Sequence, residues 1–143
     1  HPAAVRARRP EPAPVTLRPF ARPRLWLGVW VFGWALCIAL SLLPPVPLDG
    51  PPDSDKIGHF LAYFTLSAWA VSIFRTRRAQ VLAALSLVAL GLAIEWAQAN
   101  LTVTRQGDLR DALANSLGIA LGFALSFTPL AQWLERFDRR YFR

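Results

Sequence analysis

Leu25 to Leu43 reads LWLGVWVFGWALCIALSLL, 19 residues without a charge. A helix needs about 20 mainly apolar residues to cross a bilayer, with about 17 as the practical minimum, so this run predicts a transmembrane helix. Three similar runs follow. Ile57 to Phe74 has 18 residues and one ionisable group, His59; Val81 to Gln98 has 18 and only Glu95, near its end; Ala112 to Phe127 has 16 and no formal charge. Each of these reaches spanning length once a flanking turn is included. Lipid offers no partner to a backbone N–H or C=O, so only helices and closed barrels cross it. The runs lack the alternation of barrel strands and are rich in Leu, Ala and Gly. The expected fold is all-α: a polytopic membrane protein with a four-transmembrane-helix bundle.

The connections agree. PPVPLDGPPDSDK joins the first two runs with prolines that cannot continue a helix. RTRRAQ makes a tight turn between the second and third, and Pro129 ends the fourth. A cleaved signal peptide is the competing reading of the first run, but its length exceeds an h-region of about 7–15 residues. SLLPPVP after it offers no small-x-small cleavage site. With no methionine anywhere, position 1 included, the sequence is expected to lack its genetic start.

Composition and charge narrow the function. The 143 residues suit one domain, 54% are hydrophobic, and 17% are charged, below the roughly 25% typical of soluble chains. The net charge of +7 would suggest nucleic acid if it were spread along the chain. Instead arginines crowd the ends and one short loop, which argues against an ordinary soluble enzyme and against a nucleic-acid partner. Cys37 stands alone in an apolar run, so neither a disulfide framework nor a zinc cluster is expected.

Basic residues in short loops set orientation. Arg6, Arg8, Arg9, Arg18, Arg22, Arg24, Arg75, Arg77, Arg78, Arg136, Arg139, Arg140 and Arg143 fall on one side, 13 in all, against Lys56, Arg105 and Arg110 on the other. The 13-residue side is expected to be cytoplasmic, with both termini inside.

The ends differ from the centre. Residues 1–24 hold six prolines and six arginines with no periodicity, which predicts a disordered cytoplasmic arm that either meets lipid or docks on a partner. Residues 25–128 form the transmembrane domain. In residues 129–143, Leu130, Trp133, Leu134, Phe137 and Tyr141 share a face and the arginines fall largely elsewhere. That pattern predicts an amphipathic helix in the inner headgroup zone. Trp26, Trp30 and Trp34 recur every four residues on the first helix, which reads as an anchor facing lipid or another protein.

The informative residues are those that membrane helices avoid. Asp55, His59 and Tyr63 are spaced by four on the second helix, beside Lys56. Glu95 and Gln98 close the third helix; Asp111 and Asn115 open the fourth, continued by Gly118 and Gly122, a small-residue seam for close helix approach. Arg105, Asp108 and Arg110 lie in the loop between them. On the derived topology all fall at the outer leaflet. An ionisable group in a membrane helix costs a few kcal/mol on insertion scales and so needs a partner. Cations (Lys56, Arg105 or Arg110) are expected for Glu95, and a carboxylate for His59. A structural network fixing helix register and an outward ligand pocket both account for the cluster. The carboxylates could suit a hard cation, but their spacing matches no metal motif, so no metal or cofactor is predicted.

DKIGHFLAYFTL followed by EWAQANLTVTRQGDLRDALANSLGIALG resembles the signature of VanZ-like membrane proteins: Asp-Lys-x-x-His-Phe-x-x-Tyr, Glu-x-x-Gln, Arg, then Asp-x-x-x-Asn-x-x-Gly-x-x-x-Gly. The match falls on Asp55, Lys56, His59, Phe60, Tyr63, Glu95, Gln98, Arg105, Asp111, Asn115, Gly118 and Gly122. It covers roughly residues 25–128; the arm and tail lie outside it. The resemblance implies a small polytopic protein of the bacterial inner membrane. It supplies a site but no reaction.

Two functions compete. In the first, the outer pocket binds or modifies a lipid or cell-envelope precursor headgroup, with Lys56 and Arg105 for phosphate and His59, Glu95 or Asp111 as candidate catalytic groups. In the second, the chain is an accessory subunit of a larger membrane complex, docked through Trp26, Trp30, Trp34 and residues 1–24. Membrane lipids are partners in both.

Overall fold

The computed structural model of the chain describes residues 16–44, 54–102 and 108–143. Among these the structure is helical: α1 Pro23–Leu42, α2 Ser54–Ile73, α3 Arg77–Leu101, α4 Leu109–Ala124 and α5 Trp133–Phe142. Two short 3₁₀ turns, Leu125–Phe127 and Pro129–Gln132, join α4 to α5.

Local chemistry sets the ends. Pro23 opens α1, where its missing N–H costs nothing and its fixed φ suits a first turn. The Thr76 hydroxyl accepts from Ala79 N (3.2 Å) at the start of α3, and the Asp108 carboxylate accepts from Arg110 N (2.9 Å) at the start of α4. Pro129 stops the α4 chain direction, and the following segment leaves at 84°.

α1 to α4 run up and down in sequence, giving the bundle two ends. One, the arginine end, gathers the start of α1, the α2–α3 turn and α5. The other, the carboxylate end, gathers the end of α3 and the starts of α2 and α4. Contacts between α1 and its neighbours fix this order: Trp30 Nε1 donates to Leu66 O (3.0 Å), Trp69 Nε1 to Trp26 O (3.1 Å), and Gln98 Nε2 to Ser41 O (2.8 Å).

α1 and α3 are each long and apolar enough to cross a membrane. The bent pair Leu109–Phe127 with Pro129–Phe142 makes a third candidate. α2 has 20 residues, about 30 Å, but its polar residues keep it out of that group. The packing is inverted relative to a water-soluble bundle. Ser67, Gln98, Asp111 and Asn115 are buried, whereas Leu85, Leu92, Trp96, Leu113, Leu117 and Leu121 point outward. A central core of Tyr63, Leu66, Leu87, Leu90, Ile94 and Ile119 lies between them.

α2 and α4 pack most closely. A methyl group on Gly118 would lie 2.9 Å from Phe64 N and nearer still to Phe60 O; one on Gly122 would lie 2.7–2.8 Å from Ser67 Cβ, Ala68 N and Phe64 O. The backbones thus touch where these glycines stand, and Ser67 Oγ donates across the seam to Ile119 O (2.8 Å).

Two expectations need correction. The arm was expected to be disordered through residue 24, but residues 16–22 are fixed against the bundle; residues 1–15 lie outside the described residues. Leu17 bridges Phe74, Arg18 N donates to Ile73 O (2.9 Å), and Arg18 Nη2 to Val71 O (2.9 Å). The reason is that a helix end leaves its last carbonyls unpaired, and the arm supplies the donors for α2. The tryptophans of α1 also turn inward. Trp26 is buried and Trp30 and Trp34 are half-buried; the indole N–H groups of Trp26 and Trp30 find acceptors on α5 and α2, whereas Trp34 Nε1 has no partner among the described residues. The outward face of α1 is Val29, Phe32, Leu36 and Leu40.

α5 closes the arginine end. Its Leu134 and Asp138 are buried against the bundle, with Trp133, Phe137 and Tyr141 exposed. Trp26 sits between Phe20, Trp69, Phe137 and Phe142, with ring centroids 5.8–6.5 Å apart.

Candidate functional site

The sequence-predicted polar residues meet at the carboxylate end. The first turn of α2 presents Asp55, Lys56 and His59; the Asp108 cap starts α4 and leads to Asp111 one turn later. Lys56 Nζ sits among three carboxylates: Asp111 Oδ1 at 2.5 Å, Asp108 Oδ2 at 3.0 Å and Asp55 Oδ2 at 3.3 Å. His59 Nε2 lies 3.7 Å from the other oxygen of Asp111. Asp111 is therefore the hinge of the site, one oxygen toward the ammonium and one toward the imidazole. Its side chain is 8% exposed; Lys56 and His59 are half-buried.

Glu95 does not meet Lys56. Its Oε2 accepts from the backbone N–H of Asp108 (2.7 Å), so α3 holds the loop that starts α4. Its Oε1 is buried with no hydrogen-bond partner among the described residues. Arg105 lies outside those residues. Asp108 was read from sequence only as a loop acid. The structure makes it both a partner of Lys56 and an N-cap, and the cap pattern, an acid directly before a new helical run, was the signal available for it. The Arg110 N–H and the Lys56 ammonium hold the Asp108 carboxyl below its usual range.

One turn deeper, Tyr63 and Asn115 are buried; Gln98 is buried too, one turn nearer the end of α3 than Glu95. Asn115 packs its side chain against Gly91 of α3, where a methyl would meet Asn115 Nδ2 at 3.1 Å and Tyr63 Cε1 at 3.6 Å. Gln98 uses its amide N–H on Ser41 O. Gln98 Oε1, Asn115 Oδ1 and the Tyr63 hydroxyl have no hydrogen-bond partner among the described residues. Gly118 and Gly122 stand below, in the helix seam rather than among the polar residues.

The cluster thus has a lip of alternating charges with buried, unpartnered polar atoms beside and beneath it among the described residues. It can hold a cation or a hydrogen-bond donor, and the His59–Asp111 pair is the arrangement through which a proton could move. No protein-family description, curated protein or solved structure matches the chain.

Proposed function

We propose that this chain is a four-span protein of the bacterial inner membrane, of the VanZ-like type, whose outward cleft binds the headgroup of a lipid or cell-envelope precursor. In this reading α1 to α4 each cross the bilayer, both termini are cytoplasmic, and α5 rests at the inner leaflet. α2 belongs to the membrane because its polar residues turn toward α4 and the cleft. α4 has 16 residues, about 24 Å, and reaches spanning length with the 3₁₀ turn that follows.

The observation that carries the reading is the set of acceptors without a partner among the described residues, Glu95 Oε1, Gln98 Oε1 and Asn115 Oδ1, buried beside the lip. A buried acceptor without a donor costs about 1–3 kcal/mol, and hydrocarbon offers it nothing. A headgroup carrying hydroxyl or ammonium donors supplies what these oxygens lack. In a catalytic version, proton transfer falls to His59 or Glu95.

Native mass spectrometry of the detergent-solubilised protein tests this with two lipids of equal net charge. Short-chain phosphatidylethanolamine, which has N–H donors, is expected to be retained over short-chain phosphatidylcholine, which has none. Glu95→Leu or Asn115→Leu should cut that preference by about tenfold, the loss of one good hydrogen bond. Equal retention of the two lipids by the unaltered protein ends the reading.

A further inference from the structure

We infer that the lip of the cleft is a divalent-cation site formed by Asp55, His59 and Asp111. One carboxylate oxygen of each aspartate and one imidazole nitrogen lie within 4.8 Å of one another. Zinc bonds of about 2.0–2.2 Å require such donors to be roughly 3.4 Å apart around a tetrahedral ion. His59 and Asp111 are already close to that, at 3.7 Å. Asp55 is exposed in the first turn of α2, so its side chain is free to swing inward.

Three further observations point to a cation here. The carboxylates already surround a positive charge, the Lys56 ammonium, which occupies the ground that a metal ion would take. Asp108, 3.0 Å from Lys56, remains as its partner when Asp55 and Asp111 turn to the ion. His59 makes no hydrogen bond that would hold its ring nitrogens back, the contact to Asp111 being its only polar one among the described residues. One turn below Asp111 on the same face of α4, Asn115 is 3% exposed and its Oδ1 lacks a donor. That oxygen is available to a water bound on the ion.

The ligand chemistry narrows the metal. An imidazole with two carboxylates suits zinc or manganese, whereas magnesium prefers an all-oxygen octahedron. The three protein ligands leave a coordination position open, as catalytic rather than structural zinc sites do. The three ligands sit at the lip, and only Asn115 Oδ1 is shared with the headgroup reading, so the metal is tested with no lipid ligand present.

Calorimetric titration of the full chain in mild detergent with Zn²⁺, and separately with Mn²⁺, tests it without any lipid ligand. One saturable equivalent is expected. His59→Ala and Asp111→Asn should weaken it by at least about tenfold, while His1→Ala and Cys37→Ala leave it unchanged. Lys56→Gln should tighten it by about tenfold, because the competing ammonium is gone. The last result separates a metal site from a salt-bridge network, which has no reason to gain affinity for an ion. No saturable binding in either the unaltered chain or Lys56→Gln overturns the inference, as does zinc binding that survives His59→Ala.

Discussion

Asp138 joins three parts of the chain through one carboxylate. It accepts from Ala21 N (2.6 Å) and Arg22 N (3.3 Å), where the arm turns into α1, and from the indole of Trp26 (2.8 Å). From sequence it is an ordinary acid among arginines, and nothing in the spacing distinguishes it from Glu135. Only the fold makes it the tertiary cap of α1. Burial opposes its charge, but the Trp26 indole and the two backbone N–H groups hold the carboxyl below its usual range. Asp138→Ala leaves those donors unpaired and is expected to cost about 3 kcal/mol, read as a lowered melting temperature in detergent with Trp fluorescence. The pH dependence has a definite sign. A carboxyl whose folded pKa is depressed contributes stability that is complete above its unfolded value of about 3.9 and is lost as pH falls through the lower folded value. The difference in melting temperature between the unaltered protein and Asp138→Ala should therefore shrink on acidification through that window. A difference that is constant or grows there contradicts the assignment.

At the scale of elements, four helices and the amphipathic tail were legible because each rests on a run of its own residues. The apolar runs beginning at Leu25, Ile57, Val81 and Ala112 fall within α1 to α4 or overlap them closely. What could not be read was contact between runs. The inward turn of Trp26 and Trp30 depends on Asp138 and on the Leu66 carbonyl, which are remote in sequence. The docking of residues 16–22 depends on carbonyls left over at the end of α2. The candidate site shows the same division. The residues on one helix face, such as Asp55 with His59, were legible from spacing, but the choice of Lys56 for Asp111 rather than Glu95 depends on how α2 leans on α4. That lean is set by glycine. Gly118→Ala and Gly122→Ala push a methyl into backbone atoms of α2 and should each cost about 1–3 kcal/mol. Gly28 has nothing within 4 Å of the built methyl position, so Gly28→Ala should be neutral or stabilising by up to about 1 kcal/mol. Thermal melts of the three variants under one detergent condition check the ranking. Similar losses for all three would show that helix seam and outer surface are not distinguished in this way.

For the whole molecule, the proposal that α2 crosses the membrane carries the most weight, because α1 and α3 qualify by themselves and α2 does not. Its own composition is diluted by Ser, Thr, Asp, Lys and His. A helix is solvated by its surroundings, however, and the most polar side chains of α2 lie against α4 and the cleft, while Leu61 points outward. The two possibilities predict different sides for the α2–α3 turn. With α2 spanning, Arg78 shares the side of Arg140, and Pro44 and Asn100 share the other. With α2 lying in the membrane plane, Arg78 joins Pro44 and α3 carries Asn100 to the opposite side. Single-cysteine variants decide between them, made in a Cys37→Ala background so that no other thiol is present. A membrane-impermeant maleimide applied to intact cells should label Pro44→Cys and Asn100→Cys. It should label Arg78→Cys and Arg140→Cys only after permeabilisation. Labelling of Arg78→Cys and Arg140→Cys together with Pro44→Cys, with Asn100→Cys protected until permeabilisation, would remove one crossing. The cleft residues of α2 would then no longer be bound to the same leaflet as Glu95 by four crossings, and the headgroup reading would lose its geometry along with them.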